Sequence, residues 1–200
     1  MSPIKSLLAA LAIGISGASV AAPVAVAEAT TVVIINRAEI MRDSKAGQDV
    51  IAKITAIETQ MNAELKPKGE AYTNARNALL SKFEGQTRAQ IEANVRADQT
   101  LLAEDKRVAE LRNDAAVSQR VAAAELELTE RKAWSDFYGA LRPVLQEIVD
   151  ERGADIMLYS SNVVYGGEDV DVTALAIQKL DAATPTISVV RQKLPENSAQ

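Results

Sequence analysis

The chain has 200 residues, with 22 basic and 27 acidic side chains for a formal charge of −5, and is 48% hydrophobic but only 4% aromatic. Cysteine and histidine are both absent, which excludes disulfides, zinc sites built on those ligands, thiol nucleophiles and any Ser-His-Asp triad. Much of the apolar fraction is alanine, and most carboxylates lie among lysines and arginines in helical sequence, where they read as a solvated face rather than as catalytic groups. The sequence therefore gives no support to an enzyme and implies no cofactor or metal. Its acidic balance, without a basic-aromatic surface, also argues against nucleic acid.

Residues 1–27 read as a signal peptide. Lys5 supplies the positive start, LLAALAIGISGASV the short apolar core, and Ala25-Val26-Ala27 a small-x-small cleavage site before Glu28. Cleavage after Ala22 is an alternative that would leave Pro23 directly behind the cut. An uncleaved anchor is the other reading, because no charge falls between Ser6 and Ala27; the Gly, Ser and Ala content favours removal. No cysteine follows, so a lipidated anchor is excluded, and cysteine-free sequence suits an oxidising compartment.

Two flanking pieces, 28–43 and 152–182, are expected to form one strand-rich body around an inserted arm, 44–151. Thr31 to Asn36 (TVVIIN) is a β-branched run without alternation, as in a strand buried on both faces. Arg37 to Arg42 makes one or two helical turns, with Ile40 and Met41 free to pack, and Asp43 and Ser44 are candidate helix caps. Val50, Ile54, Ile57, Met61 and Leu65 then step by three and four, a stripe narrow enough for a coiled-coil seam. At 1.5 Å per residue this first arm is ~54 Å long. Pro67 and Gly69 interrupt it, which predicts a kink and a candidate hinge.

The tip is placed near 83–87, at Phe83-Glu84-Gly85-Gln86. The return run has no glycine or proline from Gln86 to Tyr138, which predicts one uninterrupted helix. Acids precede bases by four at Asp49/Lys53, Glu64/Lys68, Glu84/Arg88, Glu92/Arg96 and Glu127/Arg131, each worth ~0.2–0.5 kcal/mol of helix support. Trp134, Phe137, Tyr138 and Leu141 stand at helical spacing where the arm rejoins the body and read as packing. Pro143 should kink this section and Gly153 should end it.

Ala154 to Ser160 is then a second strand, Val163 to Tyr165 a third, Gly166-Gly167 a turn, and Val172 to Leu180 a short amphipathic helix behind Asp171. The tail, 183–200, carries Pro185 and Pro195 and reads as mostly disordered, with Thr186 to Val190 a possible edge strand. The expected fold class is α+β and mostly helical: a long antiparallel helical hairpin on a small β-strand body. Three short apolar strands leave edges that self-association would cover.

At this point the chain resembles the Skp/OmpH family of periplasmic chaperones over essentially its whole mature length. The resemblance is carried by the VVIIN strand running into RAEIMRDSKAG, by FEGQTRAQIE at the hairpin turn, and by ADIMLYSSNVVYGGEDVDVT before the last helix. It implies a homotrimer with a β-barrel-like body and three arms around a cavity. There, unfolded outer-membrane β-barrel proteins would be held without ATP. Mapped onto this sequence, trimer contacts would come from Val32, Val33, Ile34 and Ile35, from Ile156, Met157, Leu158 and Tyr159, and from Val163, Val164 and Tyr165.

Family members of this type are often strongly basic, whereas this chain has a pI near 5.0. Only the distal hairpin, Lys66 to Arg112, carries a small positive excess. Contact with an anionic membrane or lipopolysaccharide is therefore not carried over. A holdase needs a wide, adaptable, weakly apolar surface, for which Met61, Leu65, Tyr72, Leu79, Leu80, Phe83, Ile91 and Val95 are the candidates. Phe83, beside the turn, is the one expected to be most exposed. The alternative reading is an envelope adaptor whose hairpin docks on one defined coiled coil, with register-specific packing.

Overall fold

The computed structural model describes residues 29–195; the expected leader and residues 196–200 lie outside them. The helical hairpin is inserted between two parallel strands. β1 (Val32–Ile35) pairs with β2 (Ile156–Tyr159), with Val32 opposite Ile156 and Ile35 opposite Tyr159. A parallel pair needs a long crossover, and here the crossover is the whole arm. The other edge of β1 is covered as well: the Val172 N–H donates to the Ile34 carbonyl at 3.0 Å and the Asn36 N–H to Thr173 Oγ1 at 2.8 Å. Val33, Ile34 and Ile35 are accordingly buried, as the unbroken apolar run requires.

The third strand expected at Val163 to Tyr165 does not form. A 3-10 turn at Ser160–Asn162, closed by the Val163 N–H on the Ser160 carbonyl, diverts the chain as soon as β2 ends. Serine and asparagine favour such turns, and the place beside β1 is taken by Asp171 instead. Gly166 then passes over the sheet so closely that a Cβ there would lie 2.8 Å from Ile34 Cδ1.

α1 (Arg37–Asp43) starts at Asn36, whose Oδ1 accepts the Glu39 N–H at 3.2 Å, and it buries Ile40. Ser44 both ends α1 and begins α2 (Lys45–Ser81), its Oγ accepting the Gly47 N–H at 3.1 Å. Asp43, the other candidate cap, bonds Arg42 instead. Gly47 is the point of closest approach between these helices: a Cβ there would fall 1.9 Å from the Met41 carbonyl oxygen. α2 runs through Pro67 and Gly69 without a break.

The return arm is not one helix. After a turn through Gly85, at φ +79°, Thr87 and Gln90 form a reciprocal capping box for α3 (Arg88–Ala97). The chain then breaks at Asp98 before α4 (Gln99–Arg152). Asp98 Oδ1 accepts the Thr100 N–H at 2.7 Å, so its carboxylate competes with the helical backbone and caps a new helix. The reversal is also longer than the expected tip. Lys82 bonds Glu104 at 2.6 Å, and Lys68 bonds Asp114 at 3.0 Å and Ser118 at 2.8 Å. These links keep the arms side by side up to residues 82 and 104, leaving the whole segment between them, not 83–87 alone, to turn the chain.

Lower down, α4 buries Ala122, Glu125, Thr129, Ala133, Phe137, Leu141, Val144 and Ile148, a seam of three- and four-residue steps. It continues through Pro143 and ends at Gly153, whose φ of +56° is the left-handed cap read from the sequence. Phe137 is fully buried and stacks edge-on with Trp134 (ring centroids 5.5 Å apart) and Tyr138 (5.6 Å), so the aromatic group is core. α5 (Thr173–Ala183) starts where Asp171 Oδ1 accepts the Thr173 N–H, and it packs Ala176 and Leu180 into the same core. Lys179 ties it to Glu147 and Glu151 on α4, each at 2.7 Å, and these hydrogen bonds raise the Lys179 pKa.

Residues 184–195 correct the expectation of a loose tail. They form neither helix nor the suggested edge strand, yet they are pinned across the base of the hairpin and Ile187 is buried. Two of the expected i,i+4 ion pairs, Asp49–Lys53 and Glu127–Arg131, are present. Glu64 and Lys68 instead reach other elements, Arg191 and Asp114, and Arg88 pairs with Glu92.

Candidate functional site

Two surfaces are candidates: the arms, and the open edge of the small sheet. On the arms, the eight apolar residues proposed from sequence divide by burial. Met61, Leu79 and Phe83 are buried, Leu65, Tyr72, Ile91 and Val95 are half-buried, and Leu80 is 48% exposed. Phe83 therefore corrects the expectation of an exposed tip residue: it is only 6% exposed. The reason lies in the long reversal. Because α4 still runs beside α2 at Lys82, Phe83 does not stand beyond the end of the helix pair. Leu102 and Ile51, both exposed, lie outside that set; Leu102 stands just behind the Asp98 cap, a helix start that the glycine- and proline-free run conceals in the sequence.

Between the distal arms lies an open cleft of about 500 Å³ lined by alanines of α2, including Ala71, Ala75 and Ala78, and by Val108 and Leu111 of α4. Small side chains there hold the helices together over little apolar area, so this part of the hairpin is bound more weakly than its base.

The residues assigned to self-association also split. β1 is enclosed within the protomer, with Val32 half-buried and Val33, Ile34 and Ile35 in the core. β2 is the open edge: Ile156, Leu158 and Tyr159 are exposed, while Met157 is half-buried. The loop beyond it carries half-buried Val163 and two fully projecting side chains, Val164 (106% exposed) and Tyr165 (89%). Arg37 lies over the rings of Tyr159 (5.3 Å) and Tyr138 (5.7 Å), so a cation–π bridge orients Tyr159 at this edge. An exposed apolar edge strand invites pairing with another chain.

The family model described as "Outer membrane protein (OmpH-like)" matches residues 31–180. The chain belongs to this OmpH-like family. Among curated proteins none matches. Among solved structures, an OmpH-like protein of Caulobacter crescentus, provisionally assigned as an outer membrane chaperone, is similar at 23% identity with a TM-score of 0.69. The alignment covers 84% of this chain and 94% of that one, and at this identity it establishes a shared fold. The OmpH-like match stops at residue 180, so the pinned tail lies beyond it.

The base of the OmpH-like hairpin is also where charge is organised. Burial alone would raise the Asp49 pKa, but hydrogen bonds from the Lys53 ammonium and the Ile187 N–H outweigh it and hold the carboxyl below its ordinary value. The hydrogen bond from Arg191 lowers that of Glu64. A depressed carboxylate pKa stabilises the fold above the ordinary value and loses that contribution as pH falls through the lower folded one. The thermal midpoint should therefore fall, and protease cleavage within 184–195 should accelerate, as pH drops below about 4. A midpoint flat down to about pH 3 would contradict this assignment.

Proposed function

We propose that this OmpH-like protein is an ATP-independent periplasmic holdase that assembles as a homotrimer and shelters unfolded outer-membrane β-barrel proteins between its arms. The reading is supported most by one observation: the apolar positions of the arms are dispersed and mostly half-buried along a long, weakly packed hairpin. Such a surface offers many weak contacts to chains of varied sequence and no single lock for one partner. The body supplies the other requirement, an apolar strand edge with which copies can associate.

The test is aggregation of a urea-diluted outer-membrane β-barrel protein, followed without nucleotide at low and high salt. Suppression near one trimer per client is the expected result. Persistence at high salt assigns binding chiefly to apolar contacts, whereas loss assigns it to the basic distal arms. No protection at either salt would replace the holdase with the envelope-adaptor reading.

The trimer has its own test. Light scattering of the mature chain should give about three times the protomer mass. Leu158→Asp combined with Tyr165→Asp should reduce it to one, because each charge would enter an apolar interface unpaired. A monomeric parent chain, or a trimer unaffected by both substitutions, would remove β2 and its following loop from the interface.

A further inference from the structure

The tail does not dock as a helix or a strand would, and what holds it is unusual. Most of the direct hydrogen bonds pinning residues 184–195 are made by helix side chains to the tail's backbone. The Ile187 N–H donates to Asp49 Oδ2 at 2.9 Å and the Ile187 carbonyl accepts from Lys53 Nζ at 2.7 Å. The Gln192 N–H donates to Thr129 Oγ1 at 2.9 Å and the Leu194 N–H to Glu125 Oε1 at 3.3 Å. Backbone groups are common to every sequence, so these four side chains select for an extended chain and not for particular residues. Side chains from Ile187 to Arg191 alternate inward and outward: Ile187, Val189 and Arg191 face the helices, while Ser188 and Val190 are exposed; the phase slips at Gln192, after which Leu194 is half-buried and Lys193 exposed. That period of two is the pattern of a strand with one apolar face. Arg191 adds the one side-chain lock, bonding Glu64 on α2 at 2.7 Å and the buried Glu125 on α4 at 2.8 Å.

The strap is also weakly held. Its apolar hold is one buried side chain, Ile187, and the rest is a handful of hydrogen bonds, most of them near solvent. The groove continues past it: beyond Arg191 a cleft of about 230 Å³ runs between Met61 and Leu65 on α2 and Val117 and Val121 on α4. A longer extended segment could therefore lie where the strap lies and reach further up the arm.

We propose that the groove between α2 and α4 at the hairpin base is a binding site for extended polypeptide with alternating apolar residues, and that residues 184–195 are its built-in, displaceable occupant. This deepens the holdase reading by naming where a strand-forming stretch of an unfolded β-barrel protein is gripped. The strap keeps the groove filled and its carboxylates satisfied until such a segment exchanges with it.

The experiment uses the full mature chain with only the strap altered, Ile187→Asp with Arg191→Glu, which places a third carboxylate beside Glu64 and Glu125 and leaves the groove intact. Three labelled synthetic peptides serve as probes: the sequence of residues 184–195, an unrelated peptide alternating valine with threonine, and its isomer with the valines in one block. The 184–195 peptide and the alternating valine–threonine peptide should both bind the altered chain about tenfold more tightly than the unaltered one, the ratio expected if the strap is closed about nine-tenths of the time. The blocked isomer should bind neither chain appreciably. If the double variant loses helix by circular dichroism, Arg191→Ala replaces it and the same ratio is read. Binding of the 184–195 peptide alone would make the strap a specific lock and overturn the proposal, as would equal binding to altered and unaltered chains. Failure of the unaltered chain to suppress client aggregation, with the peptide result intact, would sink the holdase and leave the groove standing.

Discussion

Gly47→Ala should destabilise the fold by about 3 kcal/mol, although alanine is the better helix former by about 1 kcal/mol. The added Cβ would sit 1.9 Å from the Met41 carbonyl oxygen and 2.7 Å from its carbon. Both are backbone atoms of α1, so no rotamer change can relieve the overlap; α1 must move off α2. That movement would pull Ile40 out of the core it shares with Val50 and Phe137. Thermal melts at fixed protein concentration should show a midpoint lower by roughly 6–12 °C. Gly69→Ala provides the internal control, because nothing lies within 4 Å of its added Cβ and its backbone is helical. It should raise stability by up to about 1 kcal/mol. Two glycine-to-alanine changes in one helix should thus have opposite signs, and equal effects would refute the close-approach argument.

The second large effect is expected at Phe137. Its ring is fully buried at the junction of arm and body, edge-on to Trp134 and Tyr138. Phe137→Ala should cost about 3–5 kcal/mol, combining lost transfer energy with a cavity the surrounding helices can close only in part. Because β1, α2, α4 and α5 all contribute to that cluster, the loss should appear as one cooperative transition at lower denaturant. A loss confined to the arm, with the body's transition unchanged, would mean that the two do not share a core. Phe137→Leu should recover much of the loss by restoring apolar volume.

What was legible in the sequence was mostly local. The Ser44 and Gly153 caps, the α1 turns, the short α5 and the narrow hairpin seam each depend on residues within a few positions of one another, which the sequence displays directly. The misreadings concern residues whose state is set by distant partners. Val163 to Tyr165 has strand-forming residues, but strand formation needs an edge to pair with, and Asp171 already occupies the free edge of β1. Asp98 is the exception, because its cap is local: Oδ1 accepts the Thr100 N–H two residues on, yet within a run free of glycine and proline it reads as one more solvated acid on a long helix. Glu125, 6% exposed, likewise looked like part of a charged face. Its partner Arg191 lies 66 residues away, in a segment whose prolines suggested disorder. For the arms, periodicity found the right residues without telling glue from surface. Burial separates Phe83 from Leu80, and burial depends on where α4 resumes beside α2.

The parallel pairing of β1 with β2 has a kinetic consequence. Thr31 bonds Asp155 across 124 residues of chain, so the body of the protein cannot close until nearly all of the hairpin has been made. Helical pairs form from near neighbours and fold fast, whereas such distant strand pairing is slow. During synthesis the VVII strand is made long before its partner and waits, apolar and unpaired. The growing chain passes through the kind of aggregation-prone state that the finished protein is proposed to guard against in others.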